Sequence, residues 1–296
     1  MTWRDRGAFA ALCVIWGLPY LFIKLAVGEI SPAGVAWARI ALGAVILVPI
    51  AYRRGTLGSA VTHWRGICAF ALAEMAVPFF LISLGERWIS SSLTAILIAT
   101  VPFTVILLAP FFRLSEPVTA RRIVGLVCGF IGVVVLLGID SVQGLLGWLG
   151  VACVAGATVA YALGSLVVQR YLMAVDELGA VAASLAIATA VLLLPALMTR
   201  PEHMPSRPAL ISVGVLGVVC TAIALWLYFY LIARVGAARA TLFTYVNPAV
   251  AALLGIVLLH EPFGLSLIIG MALILFGSWM AASRREGDTT PAAPAK

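Results

Sequence analysis

Charge is what this chain of 296 residues has least of: Asp, Glu, Lys and Arg together make up only 10% of it. A soluble domain needs about a quarter of its residues charged to meet water. This chain cannot coat a globule of its size, so lipid must replace water over most of its surface. No stretch is long and polar enough for an appended soluble domain. Histidine is equally scarce: His63, His203 and His260 all fall at loop positions. An intramembrane enzyme would need paired aspartates, a Ser/His pair or a metal-ligand cluster at membrane depth, and none is present, so neither catalysis nor a cofactor is expected. The five cysteines (Cys13, Cys68, Cys128, Cys153 and Cys220) are odd in number and lack metal-like spacing. They read as small apolar residues inside helices.

What the chain has is apolar length. Hydrophobic residues make up 63% of it, and mean hydropathy is +1.13. A bilayer core needs roughly 20 apolar residues per spanning helix. Reading between clusters of charge, Pro and Gly gives ten spans, near 7–27, 33–52, 65–84, 91–112, 119–138, 147–169, 179–199, 208–232, 238–259 and 264–283. The fold class expected is therefore all-α integral membrane. Arg4 and Arg6 before the first run imitate a signal peptide, but the run is long and nine others follow, so an uncleaved first helix is expected. Residues 286–296 are small, polar and Pro-containing, which predicts a disordered tail.

Lys and Arg collect in cytoplasmic loops of membrane proteins. With the N-terminus inside, the inner segments hold fourteen of them and the outer segments only Arg87, Arg200 and Arg207. Both termini should then be cytoplasmic, in the inner membrane of a bacterium. The net charge of +7 becomes a topology signal, and no basic surface for nucleic acid is implied.

The halves 1–140 and 141–285 also echo each other. Glu116-Pro117 recurs as Glu261-Pro262, and Gly125 and Gly132 recur as Gly270 and Gly277, all 145 residues apart. Pro49 and Pro102 recur as Pro195 and Pro248 at an offset of 146. With five helices in each half, the second enters the membrane from the opposite side. Two inverted five-helix repeats are a recurring plan of secondary transporters, with substrate held near the midplane. Such halves can exchange conformations and open the site to each side alternately. A channel or receptor would not need this duplication.

Ile15-Trp16-Gly17 with Lys24 eight residues after Trp16, Trp37-Ala38-Arg39, and above all the stretch from Ile89 to Gly138 with its degenerate echo at 237–282 carry a resemblance. The chain resembles the drug/metabolite transporter superfamily, specifically its ten-helix EamA-type exporters. That resemblance implies export of small metabolites from the cytoplasm, often amino acids including aromatic ones. It leaves the substrate open, and a proton-coupled exporter of cationic drugs is the alternative.

Polar residues inside spans mark the candidate cavity, because ionisable groups there are expensive and usually face a partner or water. Lys24, Arg39 and Glu74 are the three read as intramembrane. Trp16, Tyr20 and Lys24 follow a four-residue spacing along the first helix, as Tyr161, Ser165 and Gln169 do along the sixth. Glu74 is expected to bind a substrate ammonium, carry a coupled proton, or pair with Arg39 or Lys24 as structural glue. Phe79, Thr100, Trp226, Tyr230, Tyr245 and Asn247 complete an expected aromatic-lined chamber suited to apolar or aromatic amino acids and to cations. Pro78, Pro102 and Pro248 are expected hinges, since proline frees a backbone carbonyl within a span. The spacing of Gly125, Gly129, Gly270 and Gly277 points to close helix packing, either internal or in a homodimer.

Overall fold

A computed structural model of the chain describes residues 2–113, 120–138, 142, 144–235, 246–262 and 264–282. All regular structure among these residues is helical. Seven helical stretches are long and apolar enough to cross a membrane: α1 (Trp3–Ala26), α2 (Pro32–Arg53), α3 (Trp64–Gly85), α4 (Ser91–Phe112), α6 (Gly144–Leu172), α7 (Glu177–Met198) and α8 (Arg207–Tyr228). The described parts of α5 (Ala120–Gly138), α9 (Asn247–Leu259) and α10 (Leu265–Ala282) yield shorter apolar stretches. Most boundaries fall within about three residues of those expected from the sequence, as helix ends usually do. The beginning of the ninth expected span and the tail lie outside the described residues.

The helix starts follow from local chemistry. Ser31, Ser90, Asp176 and Ser206 each accept a hydrogen bond from a backbone N–H in the first turn of the helix that follows. Side-chain oxygens at these positions satisfy donors that the helix itself cannot. Pro32 and Pro208 stand in the first turn, where proline gives up no hydrogen bond.

Several helices are interrupted. The first breaks between Ile15 and Pro19, and the fourth breaks at Ala99 and Thr100, just before Pro102. The third widens to a π-helix over Ala71–Ala76, and the eighth does the same over Val215–Ile223. Adding the 145-residue repeat offset to 71–76 gives 216–221, inside the second widened segment. Pro78, Pro102 and Pro248 all stand in the first turn of a helical segment.

Packing follows the same sequence offset as well. Helix α1 packs on α8 as α6 packs on α3, while α2 pairs with α7, α4 with α9 and α5 with α10. Exchanging the halves maps this set of contacts onto itself. The α5–α10 pair is the tightest. A Cβ on Gly277 would lie 2.5 Å from the Gly125 carbonyl, and one on Gly132 would lie 2.9 Å from that of Gly270. The glycine stripes therefore serve an internal contact. The thiols of the five cysteines are not joined in disulfides.

Candidate functional site

The polar interior lies where α1 breaks and α8 widens. Widening to i→i+5 bonding disturbs the regular carbonyl ladder and is frequent at functional sites. Two of the carbonyls in this segment find side-chain donors. Trp16 donates through Nε1 to the Cys220 carbonyl at 3.2 Å, and Thr221 donates through Oγ1 to the Leu216 carbonyl at 2.9 Å. Arg39, on α2 and nearly fully buried, reaches the same place and donates from Nε to Thr221 Oγ1 at 3.1 Å. Its guanidinium sits 3.9 Å above the centre of the Phe79 ring, a cation–π contact of the desolvated kind. Glycines allow the approach: a Cβ on Gly43 would meet the Thr221 methyl at 2.7 Å, and one on Gly217 would meet Leu42 at 2.5 Å.

Tyr20 and Tyr161 share the electrostatic neighbourhood of Arg39, and Tyr161 also senses Glu74. Glu74 stands in the widened part of α3, opposite Gly164 on α6, where a side chain would collide with its carboxylate. Its Oε2 is enclosed and has no hydrogen-bond partner. No hydrogen bond joins this oxygen to Arg39 or Lys24, the two cations open to Glu74 as structural partners. Arg39 is held by Thr221 and Phe79, and Lys24 is committed elsewhere. Lys24 donates to the backbone oxygens of Glu86 at 2.6 Å and Ile89 at 2.8 Å. It closes the C-terminal end of α3, where carbonyls lack intrahelical partners. Its spacing from Trp16 suggested a shared face, but the break before Pro19 separates them.

The other expected residues scatter. Thr100 returns its hydroxyl to the Leu97 carbonyl at 2.6 Å and, with Leu97, Thr104, Val133, Val151 and Thr158, lines a cavity of about 220 Å³ between α4, α5 and α6. Trp226 stacks on Tyr230 with ring centres 6.4 Å apart, but 57% of Trp226 is exposed, so it does not join the Arg39 group. Tyr230 lies 3.4 Å from the Asp5 carboxylate and donates to it, towards the end that holds the N-terminus. The ring that does join Trp16 is Tyr228, at 5.2 Å, a residue not singled out by sequence. Asn247 opens α9, and Gln169 is exposed. Tyr245 lies outside the described residues.

Sequence reasoning singled out neither Glu86 nor, beyond its place in the recurring Glu-Pro pair, Glu261. The Glu261 carboxylate accepts hydrogen bonds from the backbone N–H and hydroxyl of Ser91, at 2.6 and 2.8 Å, and from those of Ser92, at 3.1 and 2.5 Å. It thus caps the positive end of α4 from the opposite half of the chain. The recurring Glu-Pro pair was the signal available for it. Glu86 is fully buried, and neither of its carboxylate oxygens has a hydrogen-bond partner. Among the described residues no group of His, Cys, Asp and Glu could hold a metal ion.

Long apolar helices around a buried polar and aromatic group fit a multi-pass membrane protein. The model of the EamA-like transporter family matches the chain twice, over residues 7–138 and 148–283. The protein belongs to the EamA-like transporter family, within the drug/metabolite transporter superfamily. An uncharacterized transporter of Archaeoglobus fulgidus is 28% identical over 93% of this chain and 98% of its own. The uncharacterized inner membrane transporter YedA of Escherichia coli is 28% identical over 84% of this chain and 81% of its own. YvbV, an uncharacterized transporter of Bacillus subtilis, is 27% identical over 92% and 89%. A chain of known crystal structure superposes with a TM-score of 0.67 at 18% identity, covering 95% of this chain and 97% of that one. At that identity the likeness speaks for the fold alone.

Proposed function

We propose that this transporter exports small amphiphilic metabolites, amino acids with aromatic or apolar side chains foremost, from the cytoplasm by alternating access. The observation that carries the cargo class is a complementary pair of unfilled groups. Arg39 uses Nε for Thr221, which leaves its terminal N–H fork for a carboxylate. Glu74 holds an enclosed oxygen without a donor, which an ammonium would satisfy. Tyr161 is within electrostatic range of both, and Trp16, Phe79 and Tyr228 supply flat apolar surface around them. A zwitterion with an aromatic side chain answers all three features.

Alternating access is supported by contacts that map onto themselves when the halves are exchanged, as two inverted five-helix repeats would require. The location proposed is the bacterial inner membrane, as for the inner membrane transporter YedA. A homodimer would need a surface other than the α5 and α10 glycines, which face each other. The second reading, a proton-coupled exporter of cationic drugs, is favoured by the unpartnered carboxylate of Glu74.

Purified protein in liposomes, supplied with labelled amino acids with and without a pH gradient, separates these readings. Aromatic amino acids moving down their own gradient support the first. Movement of lipophilic cations alone, driven by protons, supports the second and removes the first.

A further inference from the structure

The end of the bundle remote from the N-terminus is tied across the two halves, and one carboxyl is sealed beneath the ties. Glu86 directly follows α3, and none of its surface is exposed. From α1 it faces Tyr20 and Lys24, from α2 Arg39, and from the connection between α9 and α10 Glu261. The Lys24 ammonium is the natural counter-ion, yet it is turned to two backbone oxygens, one of them that of Glu86 itself. Glu261 is committed to Ser91 and Ser92. No donor reaches either oxygen of the Glu86 carboxyl. A charge enclosed in this way is far more costly than the neutral acid. Burial holds this carboxyl well above the usual carboxylate range, against the pull of Lys24, with the Glu261 charge adding to the rise.

We propose that Glu86 is a proton-binding site coupled to opening of this end of the bundle. While Lys24 and Glu261 clasp residues 86–92, the carboxyl keeps its proton. When the clasp parts and water enters, the O–H bond breaks, its electron pair stays on the carboxylate and the proton passes to bulk water. Lys24, released from the two carbonyls, becomes the counter-ion. Because closure raises affinity for the proton, the closed form has its full advantage below the ionisation midpoint of the open form. It loses that advantage as pH climbs through the midpoint of the closed form. The site rests on the alternating access proposed above only in requiring that this end opens; it does not depend on the cargo.

The test uses the full chain in lipid nanodiscs. Infrared difference spectra across a pH titration should show the C=O band of an enclosed, protonated carboxyl in the wild type. Part of this band should vanish in Glu86→Gln and persist in Glu74→Gln. Backbone hydrogen exchange of residues 86–93, corrected for the intrinsic effect of pH, should report opening that rises about tenfold per pH unit between the two midpoints. In Glu86→Gln it should be flat and low. Where Glu86→Gln does not fold, Glu86→Asp should keep the titration with a displaced midpoint. An unchanged band in Glu86→Gln, an unchanged pH slope, or a wild type without such a band would overturn the proposal. Absence of amino-acid transport with band and slope intact would remove the exporter reading and leave this one standing.

Discussion

Glu261 and Ser92 stand 169 residues apart, yet the carboxylate of one accepts from both the backbone N–H and the hydroxyl of the other. Ser91 does the same with the second oxygen. Helix α4 therefore begins on a cap supplied by the other half of the chain. Glu261→Gln removes the charge and turns an amide N–H₂ towards donors. A loss of roughly 1–3 kcal/mol is expected, read as a lowered unfolding temperature in detergent. An unchanged temperature would mean that the cap contributes nothing.

Lys24 is expected to matter for folding rather than for cargo. Lys24→Met leaves the Glu86 and Ile89 carbonyls without their donor and should cost about 1–3 kcal/mol. The residual transport in correctly folded protein should keep its KM. A KM raised tenfold or more would return Lys24 to the role of substrate ligand.

Trp16→Ala, which also leaves the Cys220 carbonyl without its donor, and Tyr161→Ala should each lower transport at least severalfold while folded protein is still recovered. Trp226→Ala, which alters an exposed side chain, should leave transport close to wild type. Equal loss in all three would argue that the aromatic residues act through general packing. Tyr245→Ala, at a position outside the described residues, tests whether the ninth span reaches the same cavity.

Gly164→Ala places a methyl group against the Glu74 carboxylate. Transport should fall at least tenfold, with a stability loss of about 1–3 kcal/mol from overpacking. The double variant Gly164→Ala with Glu74→Ala should recover much of the stability without recovering transport. Recovery of transport would show that Glu74 is only a packing residue.

Glu29 offers a test of pH dependence outside the spans. Hydrogen bonds from the hydroxyl and backbone N–H of Ser206, at 2.5 and 2.6 Å, hold its carboxyl below the usual carboxylate range. A lowered folded value means that the tie stabilises fully above the ordinary value of about 4.3. It is lost as pH falls through the folded value. The unfolding temperature of the wild type should exceed that of Glu29→Gln at neutral pH, and the two should converge in acid.

The sequence was most informative where hydrophobicity alone decides. Span positions followed from run length, and the glycines at 125, 129, 270 and 277 pointed to close helix packing, whether within the chain or in a homodimer. It was least informative where tertiary geometry decides which side chain meets which. Pairing with Lys24 or Arg39 was one of the roles open to Glu74, because all three are charged in an apolar region. The fold sends Lys24 to the end of α3 and leaves Glu74 facing a glycine. Nothing in the sequence marks Glu86, which follows a span and precedes Arg87. Only the neighbours folded around it reveal that it is sealed. The Glu-Pro repeat marked Glu261 as recurring, but a cap made across 169 residues leaves no local pattern in the α4 sequence.

The widened segments of α3 and α8 each hold residues in excess of the α-helical count. A surplus residue can pass along a helix one turn at a time without leaving the backbone unpaired for long. Each such passage would turn the portion it crosses by about 100°, the angle one residue occupies in a helix of 3.6 residues per turn. Helices α3 and α8 carry these widened segments at positions one repeat offset apart in the sequence. A rotation of that size would swing Glu74 away from Gly164 and carry the Cys220 carbonyl away from Trp16. A change in which face of a helix meets the centre would then need no sliding of one helix past another, and the tight α5–α10 pair could stay fixed while the interior turns.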